Sequence, residues 1–168
     1  MHERHTIPIQ LRAAREAFST WDGFLAFGFG SGLLPRAPGT WGTLLAVPLF
    51  LLLRAMPPFA FWLCLTAAFA LGVWLVQRVG RRLGVADYGG IVWDEIVGFW
   101  LALAVAPRGW LWLLAGFALF RFFDIIKPWP VNMVESRIEG GLGVMLDDVL
   151  AGLYTLILLA GAEHVLGV

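Results

Sequence analysis

Charge is scarce in this chain. Asp, Glu, Lys and Arg together make up 14% of its 168 residues, where an ordinary soluble domain carries about a quarter. Cysteine is nearly absent: Cys64 stands alone, which excludes an intrachain disulfide framework and a zinc site built on paired cysteines. Histidine is confined to His2 and His5 in the N-terminal tail and His164 near the other end. There is no excess of either sign, since twelve basic groups balance twelve acidic ones. Dispersed and neutralised in this way, the basic groups leave no footprint for nucleic acid. What the chain does hold is apolar: 60% hydrophobic residues, with nine Trp and thirteen Phe. That composition rules out a disordered chain. It points to an integral membrane protein, and the length suits one domain over residues 1–168.

The apolar residues are gathered in runs. Residues 55–77 hold no charged side chain over 23 positions, residues 37–53 none over 17, and residues 149–162 none over 14. A run of about 20 residues crosses a bilayer as a helix. Two further 12-residue runs, 96–107 and 109–120, flank Arg108. The expectation is an all-α membrane bundle with five spans, at about 40–56, 58–78, 92–106, 109–126 and 146–163. The shorter spans must extend into charged flanks, which puts those charges at the membrane edge. A soluble helical core is the competing reading, but so many Trp and Phe would be unusual there. No cleavable signal peptide is visible in the first 22 residues. Residues 9–21 read as a surface helix after Pro8, with Leu11, Ala14, Phe18 and Trp21 on one stripe. Such a helix can lie flat in the headgroup region, a frayed terminus being the other reading, and residues 1–21 are expected to be a cytoplasmic or interfacial segment.

Basic residues in short loops set the orientation. Arg4, Arg12, Arg15, Arg78, Arg81, Arg82, Lys127 and Arg137 fall on one side, and Arg54 and Arg108 on the other. The N-terminus and the loops 79–91 and 127–145 are therefore expected in the cytoplasm, with Val168 outside. In this topology Asp94 and Glu95 open the third span, Asp124 closes the fourth, and Asp147 and Asp148 open the fifth, all at the cytoplasmic end. Carboxylates at membrane depth are costly and usually functional. Clustered, they repel unless a cation intervenes, and oxygen-only ligands suit a hard ion such as Mg²⁺. Each acid alone could instead serve the helix dipole, or pair locally, as Asp124 could with Arg121 or Lys127. Adjacent residues on a helix point about 100° apart, so one of Asp147 and Asp148 is expected to face the site, and likewise one of Asp94 and Glu95.

Two further stretches stand at the same end. Residues 28–43 combine five glycines with Ser31, Arg36, Thr40 and Thr43 just before the first span. Glycine-flanked backbone N–H groups, Thr40 as a helix cap and the Arg36 fork would suit an anion. A re-entrant hairpin whose glycines only allow close packing is the other reading. No Walker lysine is present, so this is not a nucleotide P-loop. In Lys127-Pro128-Trp129-Pro130 the proline stops the fourth helix. Lys127 then lies one turn beyond Asp124, placed to hold a phosphate oxygen or to snorkel. With no histidine in the acidic layer and Cys64 isolated in mid-span, the acid–base group must be a carboxylate or a water activated by the cation.

These segments carry a resemblance. Gly30-Ser31-Gly32-Leu33-Leu34-Pro35 with Pro38-Gly39-Thr40, Ile91-Val92-Trp93-Asp94-Glu95, Phe123 to Pro130, and Gly140-Gly141-Leu142-Gly143-Val144-Met145-Leu146-Asp147-Asp148 resemble, in order, the motifs of the phosphatidylglycerophosphatase A family. The match covers roughly residues 22–155. Thr43 takes a position that many members fill with Ser. The resemblance implies a Mg²⁺-dependent enzyme of the bacterial inner membrane, its active site facing the cytoplasm, that removes the terminal phosphate of a phospholipid, phosphatidylglycerophosphate. It supports Asp94, Glu95, Asp124 and Asp148 as the metal-holding and catalytic set, with Asp147 as second choice within its pair. Arg36 and Lys127 would bind phosphate, with the stretch from Ser31 through Thr40 to Thr43 as the cradle. Two other classes are weaker. A small cation-binding transporter would place charge at the midplane, where there is none. A phosphatidyltransferase would carry an Asp-Gly…Ala-Arg…Gly…Asp…Asp pattern, which is absent.

Overall fold

The structure is a computed structural model that describes residues 7–85 and 87–167, without the side chains of 134–136. His2, Arg4, His5 and Val168, used above in reading chemistry and orientation, lie outside the described residues. Among the described residues eight α-helices follow one another: α1 (Ile9–Ser19), α2 (Trp21–Ala26), α3 (Pro38–Leu53), α4 (Pro58–Leu83), α5 (Trp93–Ala102), α6 (Trp110–Ile126), α7 (Val131–Arg137) and α8 (Gly141–Leu166). A 3-10 segment, Gly28–Leu33, joins α2 to α3. No strand occurs among the described residues. Proline starts both α3 and α4, where its missing N–H would have had no partner anyway.

Two helices, α4 and α8, are long and apolar enough to cross a membrane, each 26 residues, with mean hydropathy of 2.2 and 1.9 over their most apolar 18 residues. α3 and α6 are apolar but shorter, at 16 and 17 residues. The expected span at 92–106 is shorter still. α5 ends at Ala102 after 10 residues, about 15 Å of rise or half a bilayer core. Its place explains its shortness. α5 packs against α3, α4, α6 and α8, and eight of its ten residues are buried. Phe99 meets Phe50, Phe117 and Phe120 edge to face at 6.4, 6.1 and 6.0 Å. The indole N–H groups of Trp93 and Trp100 donate to the carbonyls of Ala68 and Ala46. A central helix built this way is a core element, satisfied by its neighbours rather than by lipid.

The stretch 79–91, expected as a loop, is helical as far as Leu83, where Gly84 at φ 74° ends α4 in the left-handed conformation. The cause is a polar clamp from the N-terminal helices. Asp22 on α2 receives Arg78 and Arg82 of α4, each at 2.8 Å, and Glu16 on α1 pairs with Arg82 at 2.6 Å. Arg12 donates to the terminal carbonyl of Leu83 at 2.6 Å. Burial by itself would raise the Asp22 pKa. Hydrogen bonds from Arg82 and Thr20 outweigh it and hold the group at about 2. α1 buries Ala13 and Ala17 against this frame. Its larger apolar groups, Leu11 and Phe18, stay exposed together with Trp21, at 62%, 68% and 64%. The stripe read from the sequence thus faces outward, and a small-residue face does the packing.

Candidate active site

The site is set by a close crossing of α5 and α8. Asp94 and Gly98 lie four residues apart on α5, and Asp148 and Gly152 four apart on α8, so each carboxylate stands one turn from a glycine on the same face. The helices meet at those glycines. A Cβ on Gly98 would lie 2.6 Å from the Asp148 carbonyl oxygen, and one on Gly152 would run into the Gly98 carbonyl. Only hydrogen fits there. The two carboxylates are thereby brought to face one another, and Glu95 joins them. Oxygens of Asp94, Glu95 and Asp148 all lie within 4.8 Å of one another. None serves as a helix cap, since α5 begins behind Val92 with no side-chain cap and α8 behind Gly140 likewise.

Opposite this triad α6 contributes cations. Arg121 pairs with Asp124 at 2.5 Å and lies 4.0 Å from Glu95. Lys127 forms the C-cap of α6 in a left-handed conformation, φ 46°, ahead of Pro128. Its ammonium meets Asp147 at 3.3 Å. Together these groups wall a pocket of about 310 Å³, closed by Ala37 to Gly39 from the start of α3 and by Asp87, Gly89 and Ile91 from the loop before α5. Ala37 is also left-handed, φ 49°. Two non-glycine residues in this costly conformation (about 1–2 kcal/mol each) thus border one pocket, a pattern that recurs at functional sites. Six carboxylates and two cations line the pocket, so an anion entering it needs further positive charge. Within the triad, Asp94 Oδ1, Glu95 Oε2 and Asp148 Oδ1 are buried with no hydrogen-bond partner among the described residues, an arrangement that calls for a ligand.

Of the residues expected from sequence, the structure brings together Asp94, Glu95, Asp124, Asp147, Asp148 and Lys127 around this pocket. Asp148, not Asp147, stands in the triad. Ser31, Arg36, Thr40 and Thr43 do not line it. Ser31 Oγ is buried in the 3-10 turn without a partner. Arg36 is exposed, and its carbonyl accepts the Trp41 indole N–H. Thr40 does not cap α3, because the helix begins two residues earlier behind Ala37. Thr43 donates its hydroxyl to the Gly39 carbonyl at 2.8 Å and is buried. The glycines of this stretch serve close packing. Gly32 lies on the Gly90 carbonyl, Gly42 on Val92, and Gly39 leaves room for Glu95 and Arg121. Arg121 and Asp87 were not anticipated as pocket residues. A charged side chain breaking the apolar run of α6 was the available signal for Arg121. Asp87 offered none.

A family model for phosphatidylglycerophosphatase A matches residues 24–163. A Haemophilus influenzae protein named phosphatidylglycerophosphatase A is 46% identical over 142 residues, covering 83% of this chain and 87% of its own. An Escherichia coli protein of the same name is 43% identical over 129 residues, 76% and 75% of the two chains. A Bacteroides thetaiotaomicron protein, provisionally named a phosphatidylinositol-3-phosphatase, is 45% identical over 148 residues, 83% and 92% of the two. No solved structure matches.

Proposed function

The chain belongs to the phosphatidylglycerophosphatase A family and is a phosphatase, and from that premise we propose that it hydrolyses the terminal phosphate of phosphatidylglycerophosphate, giving phosphatidylglycerol and inorganic phosphate. The observation that carries this reading is the triad of Asp94, Glu95 and Asp148, the two aspartates buried, facing Arg121 and Lys127 across one pocket. The triad fits a hard divalent cation, for which we take Mg²⁺. Its donors are all carboxylate oxygens, close together, and three of them have no hydrogen-bond partner among the described residues. When bound, Mg²⁺ neutralises phosphate charge and raises the acidity of water.

The chain's own groups supply the rest. Asp124 holds the Arg121 guanidinium in place, and that fork suits two phosphate oxygens. Lys127, fixed by its left-handed cap and by Asp147, presents an ammonium to a third. A pocket carboxylate takes the proton of the attacking water, since no histidine lines the site among the described residues. Arg36, exposed and next to the pocket-lining Ala37, is the cation for the phosphodiester of the lipid.

We place the pocket at the cytoplasmic face of the bacterial inner membrane, with α3, α4, α5 and its following turn, α6 and α8 as five passes. The Gly-rich segment before α3 would dip into the headgroup region. α1 would rest at the interface with Leu11, Phe18 and Trp21 toward lipid. The two 26-residue apolar helices support membrane insertion. Arg78, Arg81 and Arg82, at the pocket end of α4, support the orientation.

The test is phosphate release from phosphatidylglycerophosphate by purified protein, with and without chelator. Asp94→Asn and Asp148→Asn are each expected to lower the rate about a hundredfold or more. Glu163→Gln, at the far end of α8 beside His164, should leave it unchanged. Full turnover in chelator by metal-free protein, or full rate in both Asn variants, would refute the site.

A further inference from the structure

The reaction pocket does not end at the triad. A second cavity of about 460 Å³ adjoins it, lined by Gln77, Asp87, Glu139, Gly140, Gly143 and Asp147 among others, and it shares Asp87, Val144 and Asp147 with the pocket. Resting on the function proposed above, we infer that this outer cavity recognises the free hydroxyl of the glycerol that carries the scissile phosphate, with Asp87 and Glu139 as its acceptors.

The chemistry of the walls selects the ligand. No Lys or Arg lines the cavity among the described residues, so the anionic phosphodiester finds no counter-charge there. Carboxylates on the wall make it equally poor for an acyl chain. A neutral hydroxyl suits it in both senses, donating to a carboxylate and accepting from an amide. The amide is already oriented: Gln77 Oε1 accepts the Gly141 N–H at 2.9 Å, which leaves its NH₂ as the donor. Covalent connectivity points the same way. With the terminal phosphate between Arg121 and Lys127, the hydroxyl-bearing carbon is one carbon beyond the ester carbon. A hydroxyl that close to the pocket would meet the outer cavity at the wall the two spaces share, which includes Asp87. Asp87 and Glu139 are exposed loop residues, so each can be replaced without disturbing the core.

The experiment compares kcat/KM for phosphatidylglycerophosphate and for the analogue in which that hydroxyl is replaced by hydrogen, presented in the same detergent micelles. Wild type should favour the natural lipid by about tenfold or more, the range for a hydrogen bond to a charged group. Asp87→Ala and Glu139→Ala should each shrink this ratio, and the double variant should bring it near one. A purely structural defect would lower both rates and leave the ratio intact. Equal kcat/KM for the two lipids in wild type, or a ratio that survives in the double variant, would overturn the inference while leaving the phosphatase reading standing. Turnover of neither lipid would overturn both.

Discussion

Gly98→Ala tests whether the α5–α8 crossing sets the catalytic geometry. The new Cβ would sit 2.6 Å from the Asp148 carbonyl oxygen and 2.9 Å from Asp148 Cβ. Unstrained contact begins near 3.4 Å, so the helices must separate locally by about 0.8 Å. The atoms displaced are the carbonyl and Cβ of Asp148 itself, so the separation acts directly on a member of the triad. Overpacking of this kind costs about 1–3 kcal/mol, and the better helix propensity of Ala returns about 1 kcal/mol. The net loss of stability is therefore small, at most about 2 kcal/mol. Catalysis is more sensitive, because a misplacement of about 1 Å at a reacting centre costs on the order of a hundredfold in rate. The expected outcome is a kcat for phosphate release reduced about thirtyfold to a hundredfold, with melting temperature lowered by only a few degrees, about 2–4 °C per kcal/mol for a chain of this size. Gly161→Ala on the same α8 is the control. Nothing lies within 4 Å of its Cβ, and both rate and melting should stay at or above wild type. A Gly98→Ala protein with full kcat would refute the reasoning, since the triad would then tolerate a wider crossing.

Metal binding should be visible without turnover. At a Mg²⁺ concentration a hundredfold above Kd, binding to the folded state adds about 2.7 kcal/mol, read as a rise in melting temperature that Asp148→Asn largely abolishes; an equal rise in both proteins would place the ion elsewhere. Lys127→Gly should relieve the left-handed strain at φ 46°, so melting temperature is maintained or raised. Phosphate release should fall about tenfold or more, as for a lost charged hydrogen bond, and a fully active variant would remove Lys127 from phosphate binding. For Asp22, held at about 2 against an ordinary 3.8, the folded-state pKa is depressed. Its contribution is therefore complete above about pH 4 and is lost as pH falls from there toward 2, about 2 kcal/mol in all. Asp22→Asn should lower the melting temperature at pH 7 and flatten its dependence over that acid range, and an unchanged acid profile would show that the α2–α4 clamp does not titrate.

What could be read from the sequence depended on whether neighbours in the chain or neighbours in space decided each feature. The apolar runs located α3 and α6 to within about three residues and α4 and α8 to within about five, because hydropathy and proline act locally. α4 overshot its expected end because Arg78 and Arg82 find Asp22, 56 and 60 positions away in sequence, and no local pattern announces that. The acidic layer was legible because successive helices alternate direction, which sorts side chains by height. The facing of each acid was not, since Asp147 and Asp148 differ only by rotation about α8. Spacing did hold a clue. Asp94 to Gly98 and Asp148 to Gly152 repeat the same four-residue step, and a carboxylate one turn from a glycine on two helices marks a crossing that can bring those two carboxylates together.

The Gly-rich stretch shows the opposite case. Glycines that cradle an anion and glycines that let two backbones touch have the same composition and much the same spacing. Gly32 lies against the carbonyl of Gly90, and Gly39 opens room for Glu95 and Arg121. The stretch therefore acts on the pocket by what it leaves vacant, bringing Ala37, Pro38 and Gly39 to the wall while Thr43 spends its hydroxyl on its own helix. In the proposed mechanism phosphate binding falls instead to Arg121 on α6 and to Lys127 at its C-cap. Both are charges at the end of an otherwise apolar helix, where desolvation strengthens each interaction with an anion. A cation placed there is worth more to a phosphate than one on an open loop, and that difference is why the two α6 residues, rather than the glycines, are the ones whose loss should be felt in the rate.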